Sequence, residues 1–218
     1  MFIPTLSDGP ISIRPIRVRD ARPLERELVE NRSWLRTWEA TSPHGPSSFD
    51  TRTSIRSLLA NARAGLGLPF VFEWEGELAG QLNVSSISYG SVASASIGYW
   101  VSERFAGKGI TPTGVALATD YCFYSVGLHR VEICIRPENN PSLRVVEKLG
   151  FRYEGLRRRY IHINGDWRDH FCFALVREEL AGGVLKRWKA GDVPAGEGSV
   201  PEAERAAAAQ PLPIDPRR

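Results

Sequence analysis

The chain is poor in sulfur and has little excess of charge of either sign. Among 218 residues there are 3 cysteines, 1 methionine and 4 histidines, and Lys+Arg 28 against Asp+Glu 25 leaves a net charge of +3. Cys122, Cys134 and Cys172 are odd in number, far apart and set in apolar surroundings, so neither a disulfide framework nor a zinc site is suggested. His44, His129 and His170 show no metal-ligand spacing, and no metal is expected. No stretch approaches the roughly 18 uninterrupted apolar residues of a membrane span, and MFIPTLSDGP lacks a basic region followed by an apolar run. The expectation is a cytoplasmic protein with no membrane partner. So small a charge, nearly balanced along the chain, argues against sequence-specific nucleic-acid binding. What is present is a 42% hydrophobic composition. A domain of about 150 residues or more buries roughly 70% of its unfolded surface, so no staple is needed.

The periodicities predict an α/β (α+β) fold in the order β-α-α-β-β-β-α-β-α-β-β. Ile11, Ile13 and Ile16 suggest a first strand. Asp20 can cap a helix carrying Leu24, Leu28 and Trp34/Leu35, and a second helix is expected after Ser47-Ser48 with Ile55, Leu58, Leu59 and Ala62 on one face. PFVFEW, LAGQLNVSSI and ASASIGYWVS read as three successive strands, the first two joined at Glu75-Gly76. Val115, Ala118, Cys122 and Val126 mark a helix of about four turns ending at Gly127. RVEICIRP is a strand, and Asn140-Pro141 reads as an N-cap and first-turn proline for a helix that Gly150 ends. Asn164-Gly165 is a strong hairpin signal between FRYEGLRRRYIHI and DWRDHFCFALV. This implies about seven strands in a mixed, mostly antiparallel sheet, helices on both faces, and a central β-α-β unit. Residues 1–182 are read as the domain and 183–218, rich in Ala, Pro and Gly, as a flexible extension, with residues from about 190 as a tail.

The chemistry is concentrated in Arg104-Phe105-Ala106-Gly107-Lys108-Gly109, between a strand and the long helix. Glycines 107 and 109 permit a sharp turn and close backbone approach, so the amides of residues 105 to 110 can converge on an anion at a helix N-terminus, with Lys108 able to add charge. A phosphate-binding P-loop would need Ser or Thr after the lysine, where Gly109 stands. A dinucleotide fingerprint would need glycine where Pro112 stands. Two glycines closing a β-to-α turn is the alternative to any ligand role.

The wider pattern, R-x-x-G-x-G after I-G-Y-W-V, followed by Asn139-x-x-Ser142 and K-L-G-F, resembles the GNAT superfamily of acetyl-CoA-dependent N-acetyltransferases. The resemblance spans roughly residues 10–180. It implies that Tyr99, Trp100, Val101, Arg104, Phe105, Ala106, Gly107, Lys108, Gly109, Ile110, Thr111, Asn139 and Ser142 hold acetyl-CoA. The loop would take its pyrophosphate, and Tyr99-Trp100-Val101 and Asn139 its pantetheine arm. Segments 31–40, 128–130 and 154–170 are similar to the RimJ branch, whose members acetylate the N-terminal alanine of a small-subunit ribosomal protein, so a protein N-terminus is the implied partner. Relatives often carry a glutamate in the first turn after the glycine loop, where this chain has Thr113.

Direct attack on a thioester needs a neutral amine, an oxyanion donor and a partner for the departing thiolate. Glu39 is the candidate base, acting through a water, with an exposed glutamate at a helix end as the alternative. The Val101 amide is the candidate oxyanion donor. Ser142 is the candidate acid or thiolate partner, or a helix-initiating serine. Trp38, Glu39, Asn83, Tyr160, His162, Trp167 and Asp169 are candidate acceptor-groove residues, packing being the alternative for the aromatics. In a two-residue hairpin Tyr160 would face Asp169. None of the cysteines looks like a covalent nucleophile. The other readings are acetylation of a small-molecule amine, and a non-catalytic acyl-CoA-binding or ribosome-assembly factor.

Overall fold

The computed structural model describes residues 3–45 and 50–210. Eight strands form one sheet: β1 (Leu6–Asp8), β2 (Ile11–Pro15), β3 (Leu68–Trp74), β4 (Glu77–Ser88), β5 (Ser94–Val101), β6 (Arg130–Ile135), β7 (Arg152–Ile163) and β8 (Asp166–Val176), in the order β1-β2-β3-β4-β5-β6-β8-β7. The strand beyond the expected seven is β1. Its three residues fold back on β2 around Gly9 (φ 59°), too short a segment to show an alternating pattern. All pairs are antiparallel except β5 with β6. Glu75-Gly76 and Asn164-Gly165 take positive φ at both positions, the turn geometry that two-residue hairpins favour.

The helices divide between the faces. α1 (Ala21–Glu30), the four-residue α2 (Arg32–Leu35) and α3 (Thr51–Arg63) lie on one side, where Ile16, Leu24, Ile55 and Val71 form a small core. The single first helix expected through Leu35 is broken at Asn31. Glu27, not Leu28, is the buried position of its second turn. Asp20 precedes α1, but its carboxylate accepts from the Arg17 amide and from Arg14 instead of capping α1. Ser47-Ser48 lie outside the described residues; the cap of α3 is Asp50, which accepts from the Thr53 amide at 2.6 Å.

The main core lies on the other face, between the sheet and α4 (Ile110–Tyr121), α5 (Asn140–Leu149) and α6 (Val184–Ala190). α4 is buried almost throughout because Gly114 brings it onto the sheet: a Cβ there would sit 2.2 Å from Phe72 Cε1 and 2.9 Å from Ile13 Cγ2. It ends in a π-helical turn, Cys122–Val126, closed by Gly127 at φ 81°. The extension expected to be flexible is packed where described: Val184 and Val200 are buried, and α7 (Glu202–Ala209) touches β7, with Arg158 donating to the carbonyls of Ala207 and Gln210. Leu185, Trp188 and Ala208 pack against the same core. No helix among the described residues is long and apolar enough to cross a membrane.

On the α1–α3 side, β6, β8 and β7 display an ion-pair lattice. Arg130 donates to Glu132 (2.9 Å) and Glu154 (3.0 Å), and Arg152 also reaches Glu154 (2.8 Å). The Arg130 guanidinium holds the Glu154 carboxyl down at about 2, against an ordinary 4.5. The stabilisation Glu154 supplies is therefore complete above pH 4.5 and drains away as the pH falls towards 2. Thermal melts across that window should show a shallower acid-side fall in Tm for Glu154→Gln than for the parent protein.

Candidate active site

The one parallel pair creates the site. β5 and β6 are in register only over Ser94↔Arg130, Ala95↔Val131 and Ser96↔Glu132; beyond Ser96 the strands carry no pairing, and a cleft opens between their C-terminal ends. Such ends are where ligands bind in α/β sheets. The Ser102 amide donates to Ala79 O at 2.9 Å. Counting back through the Gly80↔Val101 register, the alternation of antiparallel bonding turns the N–H and C=O groups of Ile97, Tyr99 and Val101 away from β4, towards the cleft. Val101 O takes a hydrogen bond from Trp34 Nε1 at 3.2 Å. The cleft has a volume of about 430 Å³.

One wall begins with the glycine loop. Gly107 and Gly109 both take φ 79°, and nothing lies within 4 Å of where a Cβ would project from either. Left-handed backbone is what glycine adopts at little cost. The Phe105 and Ala106 amides are already bonded to Ser102 O and Glu103 O (both 2.9 Å), and the first bond of α4 runs from Thr113 N to Gly109 O. The amides of Gly107, Lys108, Gly109, Ile110 and Thr111 are left without a backbone acceptor among the described residues. The anion cradle thus spans 107–111 rather than 105–110. Pro112, which has no N–H to leave unpaired, fits the first turn of α4.

The opposite wall is the start of α5. Asn139, not Asn140, is its cap: Asn139 Oδ1 accepts from the Ser142 amide at 3.2 Å. Asn139 and Ser142 both line the cleft, and so do Arg144 and Lys148, one turn apart on α5. Neither cation stands among the cofactor residues expected from the sequence, although their i, i+4 spacing is legible there. The Tyr99 hydroxyl is buried and makes no well-aligned hydrogen bond. Burial pushes its pKa far up, while the Ser142 hydroxyl beside it draws it partway back. It is a neutral proton donor at any physiological pH.

The third wall comes from α2 and the segment after it, with Trp34, Leu35 and Trp38 facing Trp100 and Val101. Arg136 holds that segment in place: it donates to Thr37 O at 2.7 Å and its guanidinium lies 5.4 Å from the Trp38 ring centre. Further on, the Thr41 amide donates to His162 O (2.9 Å) and the Thr41 hydroxyl bonds His162 Nδ1 (2.9 Å).

Of the expected cofactor set, the structure brings Tyr99, Trp100, Val101, Phe105, Ala106, Gly107, Gly109, Ile110, Thr111, Asn139 and Ser142 to the cleft. Two side chains are turned elsewhere. Arg104 pairs with Glu27 at 2.7 Å and with Glu77, and Lys108 lies over the rings of Trp74 and Phe105. The Arg104 pairing explains the buried Glu27, which also accepts from Ser102 Oγ at 2.7 Å. Burial raises the pKa of Glu27, and Ser102 and Arg104 more than reverse this. With Asn31 Oδ1 accepting from the Glu103 amide (2.8 Å), α1 fixes the turn from which the cradle starts.

The expected acceptor residues are scattered. Trp38 lines the cleft, but Glu39 stands outside its lining and pairs with the exposed Arg32 at 2.9 Å. Asn83 accepts from Gln81 and lines a separate cavity beside α3. Tyr160, His162, Trp167 and Asp169 belong to the β7–β8 hairpin and are not among the residues that line the cleft. Tyr160 packs edge-on to His170 and His162 edge-on to Trp167. A bulge between Arg157 and Ile161 removes the expected facing of Tyr160 and Asp169. Asp169 instead accepts from the Arg159 amide at 2.7 Å, where Arg159 has φ 46°, and pairs with Arg158.

The family model described as an acetyltransferase (GNAT) domain matches residues 11–152. The chain is 27% identical to the [Ribosomal protein uS5]-alanine N-acetyltransferase of Escherichia coli (strain K12), over 82% of this chain and 93% of that protein. It is 39% identical to YjcK of Bacillus subtilis (strain 168), an N-acetyltransferase by name, over 47% of this chain, a match that spans only 56% of that relative. Among solved structures, Mycobacterium smegmatis RimJ in complex with CoA-disulfide superposes with a TM-score of 0.77 at 36% identity, covering 88% of this chain and 93% of that one. The split strands, the unpaired amides at the mouth of α4 and the matched family model agree, and the chain belongs to the GNAT acetyltransferases.

Proposed function

We propose that this protein transfers the acetyl group of acetyl-CoA to the N-terminal α-amine, with alanine first, of a ribosomal protein, by direct attack in a ternary complex. The observation that carries the reading is the cleft between β5 and β6 with the unpaired amides of 107–111 at its mouth. Those amides and the α4 N-terminus suit a pyrophosphate, and Arg144 and Lys148 add cations beside it. The outward-turned edge of Tyr99 and Val101 can pair with an extended amide-bearing arm, and Asn139 stands across from it. Acetyl-CoA supplies a thioester, whose carbonyl is activated by whatever donor its oxygen meets. The Val101 amide, aimed into the cleft, is that donor. Ser142, with the Tyr99 hydroxyl beside it, is placed to hand a proton to the departing thiolate.

The choice of an α-amine is supported by what lines the cleft. Among the described residues its lining contains no Asp, Glu or His. An α-amine with pKa near 8 is roughly one-fifth neutral in the cell, whereas a lysine near 10.4 is about a thousandth neutral. A site without a strong base suits the former. Glu39 contributes only through water, and release from Arg32 would precede any such role. The substrate assignment is supported by the E. coli relative, which acts on a ribosomal protein's alanine.

Ser142→Ala should lower kcat about 10- to 100-fold with the acetyl-CoA KM little changed, the signature of a lost proton donor rather than a lost binding contact. Unaltered turnover would leave Ser142 the helix-initiating role alone. The substrate is tested by mass spectrometry of ribosomal-protein N-termini in cells with and without the gene. One N-terminus should lose its acetyl group; an unchanged set would refute the assignment.

A further inference from the structure

Two of the three cysteines face each other on the side of the sheet that carries the ion-pair lattice. Cys134 on β6 and Cys172 on β8 are register partners, and their sulfurs are 3.0 Å apart. Opposed residues on antiparallel strands have Cα atoms about 4.5–5.5 Å apart, within the roughly 4.4–6.8 Å that a disulfide spans. A bond between them needs side-chain rotation but no movement of backbone. The pair is also reachable: along β6, Val131, Ile133 and Ile135 are buried in the core, while Cys134 on the alternate face is only half-buried. Cys172 beside it is 7% exposed.

The surroundings favour a thiolate at one member. Arg157 Nη1 stands 3.6 Å from Cys134 Sγ. The hydrogen bond from Cys172 lowers the Cys134 pKa, burial opposes it, and the Arg157 charge adds to the lowering. Cys172, as the donor of that bond, keeps its proton. Cys122 is the internal contrast. It is fully buried in the core, burial pushes its thiol up to about 12, and no other sulfur bonds to it among the described residues.

We infer that Cys134 and Cys172 are a reactive dithiol that hydrogen peroxide converts to an intramolecular disulfide joining β6 to β8, a modification site outside the acetyl-transfer cleft. The Cys134 thiolate attacks one peroxide oxygen, the O–O bond breaks, and hydroxide leaves, giving a sulfenic acid. The Cys172 sulfur then attacks Cys134 Sγ, the S–S bond forms, and the sulfenic hydroxyl departs as water with the Cys172 proton, while the hydroxide released in the first step takes up a proton from solvent. Two thiols lose two electrons, peroxide gains them, and two waters are the product. Only a small oxidant is required, as the half-buried position of Cys134 demands.

The test is made on the full chain. The folded, reduced protein is exposed to a small molar excess of hydrogen peroxide, unfolded in denaturant, alkylated, and analysed by intact mass and peptide mapping. The expected result is a loss of two hydrogens, a cross-linked Cys134–Cys172 peptide, and a single alkylatable thiol at Cys122; dithiothreitol should restore all three. Cys122→Ser should form the same cross-link, and Cys134→Ser and Cys172→Ser should form none. Three alkylatable thiols after peroxide, oxidation that ends in a sulfinic acid on one cysteine, or cross-links between chains would each overturn the inference.

Discussion

Gly109→Asp should weaken coenzyme A binding on the order of 100-fold, the equivalent of losing one or two charge-assisted hydrogen bonds. Position 109 is the N-cap of α4 and lies in the left-handed region, at φ 79° and ψ 2°. Aspartate tolerates that conformation better than most residues and is among the preferred N-caps. The variant should therefore fold, and its carboxylate should accept from the amides that otherwise wait for a phosphate. A negative charge also stands where the incoming anion must sit. The control is Gly109→Asn, which carries similar backbone strain and caps in the same way without the charge. It should retain more affinity than the aspartate variant, and calorimetric titration with coenzyme A separates the two. Equal affinity of Gly109→Asp and the parent would remove the cradle from the account.

Gly114→Leu should have the largest effect on stability. The helix that presents the cradle packs so closely on β2 and β3 that a Cβ at 114 would already fall 2.2 Å from Phe72 Cε1 and 2.8 Å from Phe72 Cδ1. Both belong to a ring that is itself fully buried, so it has nowhere to retreat. Overpacking of this kind costs about 3 kcal/mol or more. For a chain of this length that is a fall in Tm of roughly 6–12 °C. Gly114→Ala, which adds the Cβ alone, should show a smaller fall by the same melt and should weaken coenzyme A binding only in so far as α4 shifts. A Tm for Gly114→Leu within error of the parent would mean that α4 does not pack as described.

Much of the site was legible because it rests on local rules. A glycine pair between a strand and a helix can be read as a turn needing positive φ, and both glycines take it. Asn140-Pro141 can be read as a helix start, though whether Asn139 or Asn140 caps it depends on a backbone angle that the pattern leaves open. The side-chain partners were not legible. The basic residues of the loop looked like phosphate ligands, but Arg104 answers to Glu27, a carboxylate on a helix far away in the chain, and Lys108 to aromatic rings. The Cys134–Cys172 pair was invisible for the same reason. It depends on β8 rather than β7 lying beside β6, a choice made by the sheet and not by any spacing. The expected facing of Tyr160 and Asp169 was lost to one irregularity, the bulge at Arg158–Tyr160, where Asp169 accepts from the Arg159 amide. Trp34, by contrast, entered the site through a hydrogen bond to Val101 O that helical periodicity alone would read as core packing.

Acetyl transfer to an N-terminal α-amine is tested with the purified protein, acetyl-CoA and a peptide that begins with alanine and contains one internal lysine. Tandem mass spectrometry should find the acetyl group on the α-amine, with coenzyme A released in equal amount and the lysine unmodified. Acetylation of the lysine in preference to the terminus, or coenzyme A binding with no transfer to any terminal peptide, would contradict it.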